Sequence, residues 1–482
     1  MIAVRLAAVL VLVLSGAEAK SAPLLDDEAQ RRLFDLKSGD PALVREAFER
    51  VGEVGDERFV APLIELLRAR QIPIADAFVP RELVTLLEQL SGAELGSDWP
   101  AWVEWYSGTE LVPPPGFTGW KGSLYSRVDR NFGRLLPLGA PVRIRVEEIV
   151  WGGVGFEGIP ALDGPPVQPA EDAEWLPDGA AVFGLELGGE SRAYPLRILD
   201  WHELANDELG GIPVSLAWCT LCGSGIAYDR RARDGETYDF GSSGFLMRSN
   251  KLMADRQTSS LWNQLTGEPV VGPLVDGPPL RLAVLPSVTT TWGEWKRRHP
   301  RTTVLSRSTG HQRNYSPGAA YADYFASDEL MFPVRAKLGR LGAKQRVFGL
   351  ARDGRARAWA LETVGRHRVL NDRLDGLAVV LIAAGQAVRV EGTSLRSGLA
   401  RIYEAGLELR AYARGRHRLT AGATQDELLD ETGALWKLSE EALTGPAGER
   451  LERLPGVTAY WFGWVAYHAT TSLYEDARIE RK

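Results

Sequence analysis

The sequence has few of the residues that most often carry chemistry: two cysteines, four methionines and six histidines among 482 residues. It also lacks a run of basic residues, and its net charge is −7. Because binding of nucleic-acid phosphates needs clustered lysine or arginine, we expect no nucleic-acid partner. Hydrophobic residues make up 45% and charged residues 25% of the chain. This balance excludes a disordered or coiled-coil protein and is typical of globular domains.

Long apolar runs are scarce as well. Residues 1–19 combine one arginine, a nine-residue apolar stretch that ends at Leu14, and the cleavage pattern Ala17-Glu18-Ala19. This pattern predicts a secretory signal peptide whose apolar stretch is too short to span a bilayer. A lipoprotein signal would need cysteine at the position of Ala17. We therefore expect a periplasmic or secreted protein with a cleaved signal peptide, no lipid anchor and no stable membrane insertion.

Residues 20–112 have apolar residues at helical spacing between Asp, Gly and Pro breaks. This spacing predicts short antiparallel helices that resemble HEAT-type repeats. A small helical scaffold is the simpler interpretation of the segment, and a surface for a protein partner is the other. The stretch from Pro113 to Gly116 then predicts a stiff linker and a domain boundary.

The rest of the chain contains an internal duplication. When positions 182–216 are aligned with positions 347–381, fifteen of the aligned pairs are identical, and the alignment needs no gap. A second block around Trp292 recurs around Trp461. Short alternating strands predict an α+β fold, in which the helical segment is followed by two tandem strand-rich repeat domains, residues 117–326 and 327–482.

Each copy has the same predicted local structure. In the first copy, a hairpin is followed by an amphipathic helix over Arg197–Leu209. The pair Gly210-Gly211 is expected to end this helix. A strand over Pro213–Trp218 then leads to the cysteines.

The two cysteines form a C-x-x-C motif, Cys219-Thr220-Leu221-Cys222. As a structural disulfide, so short a loop contributes only about 2 kcal/mol, which is little for a chain with large cores. As a thioredoxin-type redox pair, the motif would begin a helix, whereas the residues after it predict a turn and a strand. As a metal knuckle, Gly223 allows both thiolates to face one ion. We favour the metal interpretation and keep the other two as alternatives.

Further metal ligands must come from elsewhere in the chain. His202 lies on the predicted helix before the cysteine strand, and Met247 and Met253 follow the motif. Two thiolates, an imidazole and a thioether form a soft ligand set that suits copper, with zinc as the second choice. Asp255 and Arg256 are the expected outer residues that orient the ligands or gate access to them.

The duplication provides an internal control for these candidates. In the alignment of the two copies the cysteines fall on Ala384 and Ala387, whereas His202 recurs as His367. A residue kept in the copy without thiols is more simply structural, for example bonded to Asn206 one turn further on. The cysteines and methionines belong to the first copy alone and are better candidates for chemistry. The second copy is expected to be a degenerate partner domain.

Several longer motifs resemble one bacterial and archaeal family, catalogued as domain of unknown function 3179. They are the segment Ala193–Leu199, the triplet Trp201-His202-Glu203, the C-x-x-C motif with Gly223, the run Met253-Ala254-Asp255-Arg256, and Ser260-Leu261-Trp262. The resemblance is strong over residues 117–326 and weak over the second copy. The family usually has proline between the cysteines, where this chain has Thr220. The resemblance implies an exported protein with a histidine, a C-x-x-C and a Met-Asp-Arg constellation, and it implies no activity.

These observations predict an exported protein whose first repeat binds copper or zinc through Cys219 and Cys222. One alternative is a periplasmic thiol–disulfide oxidoreductase, whose first thiol would have a depressed pKa. The other is a non-catalytic binding scaffold that uses residues 20–112. The sequence leaves open whether the protein is an enzyme.

Overall fold

The computed structural model describes residues 23–72, 74, 78–336 and 338–475. The predicted signal peptide, residues 1–19, lies outside the described residues. The chain divides into two compact units: one contains the chain up to Ser97 together with Leu111–Phe117, and the other contains Asp98–Glu110 and the chain from Thr118 onwards. None of the described helices is long and apolar enough to cross a membrane.

The first unit is helical, as predicted. Its helices are α1 (Asp26–Asp35), α2 (Pro41–Val54), α3 (Val60–Gln71) and α4 (Leu83–Ser91). The bounds of α2 follow from its sequence. Asp40 caps the first turn by accepting a hydrogen bond from the Ala42 N–H at 2.8 Å, and Gly55 ends the helix with a left-handed φ of 71°.

The remaining described helices are α5 (Trp99–Tyr106), α6 (Phe117–Tyr125), α7 (Asn131–Leu135), α8 (Leu196–His202), α9 (Trp292–Arg298), α10 (Ala322–Phe325), α11 (Leu361–His367) and α12 (Trp461–Tyr467). The strands up to the end of the first copy are β1 (Ile149–Trp151), β2 (Leu162–Asp163), β3 (Val167–Pro169), β4 (Ala181–Leu187), β5 (Glu190–Pro195), β6 (Leu204–Leu209), β7 (Ile212–Cys219), β8 (Ser224–Asp229), β9 (Phe240–Met247), β10 (Asn250–Asp255), β11 (Leu261–Asn263), β12 (Glu268–Val271), β13 (Ala283–Leu285), β14 (Val288–Thr291) and β15 (Thr303–Leu305). The later strands are β16 (Arg346–Arg352), β17 (Arg355–Ala360), β18 (Val369–Leu374), β19 (Leu377–Thr393), β20 (Ala400–Ala413), β21 (Thr420–Ala421), β22 (Glu427–Leu429), β23 (Leu435–Leu438), β24 (Ala442–Thr444), β25 (Arg450–Leu454), β26 (Val457–Tyr460) and β27 (Ser472–Leu473).

The strands of the described residues form four sheets. One sheet has the order β1-β9-β10-β11-β12, and another has the order β14-β4-β5-β15-β3. A third has the order β2-β6-β7-β8-β26-β16-β17-β27, with β13 also paired to β8. The fourth has the order β18-β19-β20-β25-β24-β23-β22-β21. The fold is therefore α+β and strand-rich after the first helices, as predicted.

A five-element order occurs twice in the second unit. The elements β4, β5, α8, β6 and β7 recur as β16, β17, α11, β18 and β19, and each pair begins at positions that the alignment of the two copies places together. The packing recurs too. A Cβ added to Gly184 would lie 2.3 Å from the ring of Trp295, and one added to Gly349 would lie 2.4 Å from the ring of Trp464. The sequence identities between the copies thus correspond to the same local structure.

The prediction of two tandem domains, residues 117–326 and 327–482, is not confirmed. Both copies lie in one compact unit. Their strands share one sheet because β8 of the first copy pairs with β26 of the second, where Gly225 lies opposite Thr458. A strand edge that pairs with another copy is removed from solvent, and this pairing joins the two copies into one body.

The predicted helix over Arg197–Leu209 is wrong in its second half. The helix α8 ends at His202, Glu203 has a left-handed φ of 58°, and Leu204–Leu209 forms β6 against β7. The glycines at 210 and 211, predicted to stop the helix, instead form the turn between β6 and β7. The apolar spacing of this stretch fits a helix, and residues 204–209 lack the alternation of apolar and polar residues that indicates a strand. Pairing with β7 makes them a strand.

Candidate functional site

Cys219 is the last residue of β7, and Cys222 lies in the turn that leads to β8. Cys219 pairs with Ser224 across the hairpin, and the Gly223 N–H donates to the Thr220 carbonyl at 3.3 Å. Gly223 has a left-handed φ of 57°, which glycine adopts without strain because it has no Cβ. The predicted turn and strand after the motif are confirmed. Both cysteines are free thiols and are buried.

The two thiols contact each other and have different surroundings. Cys219 Sγ accepts hydrogen bonds from the Cys222 N–H and the Lys251 N–H, and the Cys222 side chain lies beside it, while the Cys222 thiol donates to the Ser249 carbonyl oxygen at 3.2 Å. Burial acts to raise the pKa of Cys219, but these donors stabilise the thiolate, and the net pKa is lowered. For Cys222, burial and the neighbouring Cys219 raise the pKa well above its ordinary value. Cys219 is therefore the thiol that ionises first.

A buried ion pair lies beside the thiols. Lys251 Nζ donates to the Glu203 carbonyl oxygen at 2.6 Å and lies 3.9 Å from Glu203 Oε2. Thr220 Oγ1 donates to Glu203 Oε1 at 3.5 Å. Burial raises the pKa of Glu203 and lowers that of Lys251, and each charge partly offsets the effect on the other. The pair connects the end of α8 to β10, the strand whose backbone N–H reaches Cys219.

Asp200 is a second buried carboxyl group near the thiols and lies on α8. Its Oδ1 accepts a hydrogen bond from Trp218 Nε1 at 2.9 Å, in the residue before Cys219. Burial raises the pKa of Asp200 to about 7, and the charge of Glu203 acts in the same direction. A carboxyl group that titrates near neutral pH is therefore bonded to the residue that precedes Cys219 on β7.

The cysteine turn is covered by α10 and by the second copy. Tyr324 Oη donates to the Leu221 carbonyl at 2.6 Å, and the Tyr460 N–H donates to the Cys222 carbonyl at 2.7 Å. Arg346 Nη1 donates to the Gly223 carbonyl at 3.2 Å. Cys219 is 1% exposed and Cys222 is 0% exposed. A reactant must therefore be small, or be admitted by movement of this cover.

His202 lies in a different set of contacts. Its Nδ1 lies 2.8 Å from the Pro160 carbonyl oxygen, so Nδ1 carries the proton and donates. Its Nε2 lies 2.6 Å from Tyr315 Oη and accepts the hydroxyl proton. Burial lowers the pKa of His202 to about 4, so the ring is neutral at ordinary pH. Both ring nitrogens are occupied by protein groups, and neither is available to a metal in this arrangement.

The other candidate residues are distributed over neighbouring strands. Met247 ends β9 and is opposite Asn250, and Met253 on β10 is paired with Trp262 in an apolar core cluster. Asp255 accepts hydrogen bonds from Trp262 Nε1 at 2.8 Å and from Thr258 Oγ1 at 2.9 Å. Through these bonds Asp255 stabilises the end of β10, which is a structural role.

Arg256 and Asn206 are also held by nearby groups. Arg256 forms ion pairs with Glu157 at 2.6 Å and with Asp163 at 2.8 Å. Asn206, which lies on β6 and not on a helix, donates through Nδ2 to Asp163 Oδ1 at 2.7 Å and to the Phe240 carbonyl at 2.8 Å. The expected bond between Asn206 and His202 is absent among the described residues, because the turn at Glu203 separates them.

The ligand set expected for a metal is not assembled here. The part of the chain that the structure describes has no group of three or more His, Cys, Asp or Glu side chains that could hold a metal ion. A structural zinc site needs four such ligands and a catalytic one needs three. The free thiols of Cys219 and Cys222 are therefore the reactive groups of the candidate site.

Residues 156–471 match a family described as "Protein of unknown function (DUF3179)". The match spans about two thirds of the 482 residues. The chain belongs to the DUF3179 family. Neither the curated proteins nor the solved structures include a match to the chain.

The DUF3179 match covers both copies, from before β4 to the end of α12. The sequence resemblance was expected to be strong only up to residue 326, but the shared sheet makes the second copy part of the same fold. Tyr460 and Arg346, which contact the cysteine turn, belong to that second copy. The DUF3179 region therefore includes every group of the site described above.

Sequence reasoning missed three polar residues of the DUF3179 site: Asp200, Glu203 and Lys251. The duplication holds a signal for two of them, because the alignment of the copies pairs Asp200 with Gly365 and Glu203 with Arg368. Like the cysteines, these two carboxylates occur in the first copy and are replaced in the second. Lys251 gives no such signal, since it meets Glu203 across 48 residues of sequence.

Proposed function

We propose that this DUF3179 protein carries out thiol–disulfide chemistry at Cys219 and Cys222, after export from the cytoplasm. The observation that supports this function best is the asymmetry of the two thiols. Cys219 Sγ accepts hydrogen bonds from two backbone N–H groups, and the Cys222 thiol, which would resolve a mixed disulfide, lies beside it. A thiolate with a neighbouring thiol in reach is the arrangement that disulfide exchange requires.

The reaction balances with a disulfide as the co-reactant. The Cys219 thiolate attacks one sulfur of a small disulfide, forms a mixed disulfide with it and releases the other sulfur as a thiolate. Cys222 then loses its proton to that thiolate and attacks Cys219 Sγ. The Cys219–Cys222 disulfide forms, the second half of the substrate leaves as a thiolate that takes a proton from water, and the substrate has gained two electrons. The reverse sequence oxidises two small thiols.

The burial of both sulfur atoms favours a small substrate over a protein disulfide. A cavity of about 380 Å³ reaches Asp200, Tyr321 and Tyr324, and the last of these contacts the cysteine turn. Cavities of this size are typical of sites for small molecules. Substrate would approach through this cavity when the side chains of α10 move aside.

The experiment uses the reduced full chain beginning at Lys20, incubated with oxidised glutathione. We expect the wild type to lose two hydrogens in its intact mass and to regain them with dithiothreitol. Cys222→Ser should keep glutathione on Cys219 as a stable mixed disulfide, whereas Cys219→Ser should not accumulate one on Cys222. If both wild-type thiols stay free until the protein is denatured, or if the two variants trap glutathione equally, the proposal is wrong.

Copper is the second candidate, and the contact between the two thiols favours it. Two thiolates alone suit copper(I), a soft ion, whereas zinc needs further ligands that the described residues do not bring together. Metal analysis of protein purified from the periplasm tests this candidate. One equivalent of copper in the wild type, lost in Cys219→Ser/Cys222→Ser, would support it, and less than a tenth of an equivalent in both would end it.

A further inference from the structure

A second cavity, of about 150 Å³, lies where the two copies meet. The first copy provides α8, through Arg197 and Asp200, and Trp218 of β7. The second copy provides the beginning of β16 and parts of β19 and β20. Neither copy alone forms this cavity, so the duplication has created a site that a single copy lacks.

Three guanidinium groups line the cavity: Arg197, Arg346 and Arg389. Arg346 donates to two carbonyl oxygens and a tyrosine hydroxyl, none of which carries a negative charge. Among the described residues, no carboxylate forms an ion pair with Arg197 or Arg389, and none of these residues accepts a hydrogen bond from the Arg197 side chain. The guanidinium groups therefore bring positive charge that no direct ion pair neutralises.

The two carboxyl groups of the cavity wall offset this charge only in part. Asp200 faces the cavity, and its pKa near 7 leaves it partly neutral at ordinary pH. Glu391 and Arg389 both line the cavity and are both exposed, so solvent screens both charges, and the positive charge of the cavity rests on Arg197 and Arg346. Burial lowers the pKa of Arg197, and the charge of Arg307 acts in the same direction. Arg197 is half-buried, so an anion bound beside it would replace solvent as the acceptor of its hydrogen bonds and would pair with its charge.

The other walls of the cavity are apolar. Trp218, Phe325 and Tyr403 supply aromatic rings, and Leu196 and Ala405 supply aliphatic surface. A cavity of about 150 Å³ accommodates a molecule the size of benzene. A hydrated inorganic anion would leave these walls without apolar contacts, whereas an organic acid would fill them.

We propose that this cavity binds a small organic carboxylate whose apolar part is about the size of a benzene ring. The carboxylate lies against Arg197, because a planar guanidinium matches a carboxylate with two hydrogen bonds. The ring or chain packs against Trp218 and Tyr403. Neither cysteine lines this cavity, and the binding of a carboxylate goes beyond the thiol chemistry proposed above, although Trp218 and Arg346 also adjoin the cysteine turn.

Benzoate is the probe, and calorimetry with the full chain beginning at Lys20 is the measurement. We expect saturable binding of one benzoate, and binding of the uncharged isostere benzamide weaker by at least about tenfold. Arg197→Met should weaken benzoate binding by at least about tenfold, and Arg197→Lys should recover part of the loss because it keeps the charge. The matched control is Arg355→Met, since Arg355 is an exposed arginine of β17 outside the cavity.

Three outcomes would overturn the proposal. One is the absence of saturable benzoate binding to the wild type. Another is equal binding of benzoate and benzamide, which needs no variant and so remains decisive if Arg197→Met fails to fold. The third is tighter binding of inorganic phosphate than of benzoate, which would show that the apolar walls contribute nothing.

Discussion

The Sγ atom of Cys222 lies 3.2 Å from the carbonyl oxygen of Ser249, at the tip of the hairpin between β9 and β10. Arg248 and Ser249 form that tip with φ values of 49° and 60°. Left-handed backbone is unfavourable for residues with a Cβ, and glycine is the usual choice in such a turn. The chain therefore keeps a strained residue at the point where the hairpin touches the Cys222 thiol.

Ser249→Gly should stabilise the protein by about 1 kcal/mol, because glycine adopts a positive φ without a steric penalty. The change also removes the Ser249 hydroxyl, which is buried and has no partner among the described residues. Ser249→Ala removes the same hydroxyl but keeps the strain, so it should gain less. Urea unfolding of both variants measures the difference. A Ser249→Gly protein less stable than Ser249→Ala would contradict the role of strain.

The pair of Glu203 and Lys251 leads to a second prediction. Lys251→Met should cost about 3–5 kcal/mol, since it leaves the buried Glu203 without its cation. Glu203→Gln should cost less, because Lys251 Nζ still reaches the backbone carbonyl of residue 203.

A double-mutant cycle tests this coupling. The double variant, Lys251→Met with Glu203→Gln, should lose at least about 1 kcal/mol less than the sum of the single losses. The free energies of unfolding come from urea titrations at one pH. Additive losses would show that the two side chains do not depend on each other.

Asp200 makes the stability of the protein depend on pH. Its folded pKa, about 7, lies above its ordinary value of 3.8, mainly because of burial. The neutral form is therefore favoured in the folded state, and stability falls as the pH rises from about 4 to about 7 and then levels off. Glu203 faces Asp200 and raises its pKa, while Arg197 and Arg346 lower it.

Asp200→Asn should remove this dependence. Asparagine keeps an oxygen that accepts from Trp218 Nε1, and it carries no charge. Between about pH 4.5 and pH 7.5 the wild type should lose roughly 2–4 kcal/mol more stability than the variant. Thermal unfolding at a series of pH values measures the two curves. Parallel curves over this interval would disprove the assignment.

Part of this structure could be predicted from the sequence. The hairpin of β4 and β5, the strand before the cysteines and the turn after them follow from local patterns, and the repeated elements follow from the identities between the two copies. The extent of α8 could not be predicted, because Leu204–Leu209 does not alternate between apolar and polar residues as a half-buried strand does. These residues form the strand β6 because they pair with β7.

The contacts that form the site depend on residues far apart in the sequence. The strand β8 of the first copy pairs with β26 near the end of the chain, and nothing within either copy indicates this pairing. No local sequence pattern indicates the contact between the Lys251 N–H and Cys219 either. His202 was a reasonable ligand from its type and place, but Pro160 and Tyr315 occupy both of its nitrogens.

The contact between the cysteine turn and the second copy leads to the last prediction, which compares two turn glycines. Gly223 and Gly211 both have a positive φ, 57° and 73°. A Cβ on Gly223 would lie 2.9 Å from Arg346 Nη1 and from Tyr460 Cε2, whereas a Cβ on Gly211 would have no neighbour within 4 Å. Gly211→Ala should therefore cost about 1 kcal/mol, the penalty of the backbone conformation alone.

Gly223→Ala should cost about 1–3 kcal/mol more than Gly211→Ala, because overpacking adds to the same backbone penalty. It should also speed alkylation of Cys219 by iodoacetamide, since Tyr460 and Arg346 must move away from the turn that they cover. Gly211→Ala should leave the alkylation rate unchanged, because its turn lies at the other end of β7. Equal losses of stability and equal alkylation rates in the two variants would mean that the second copy does not hold the cysteine turn closed.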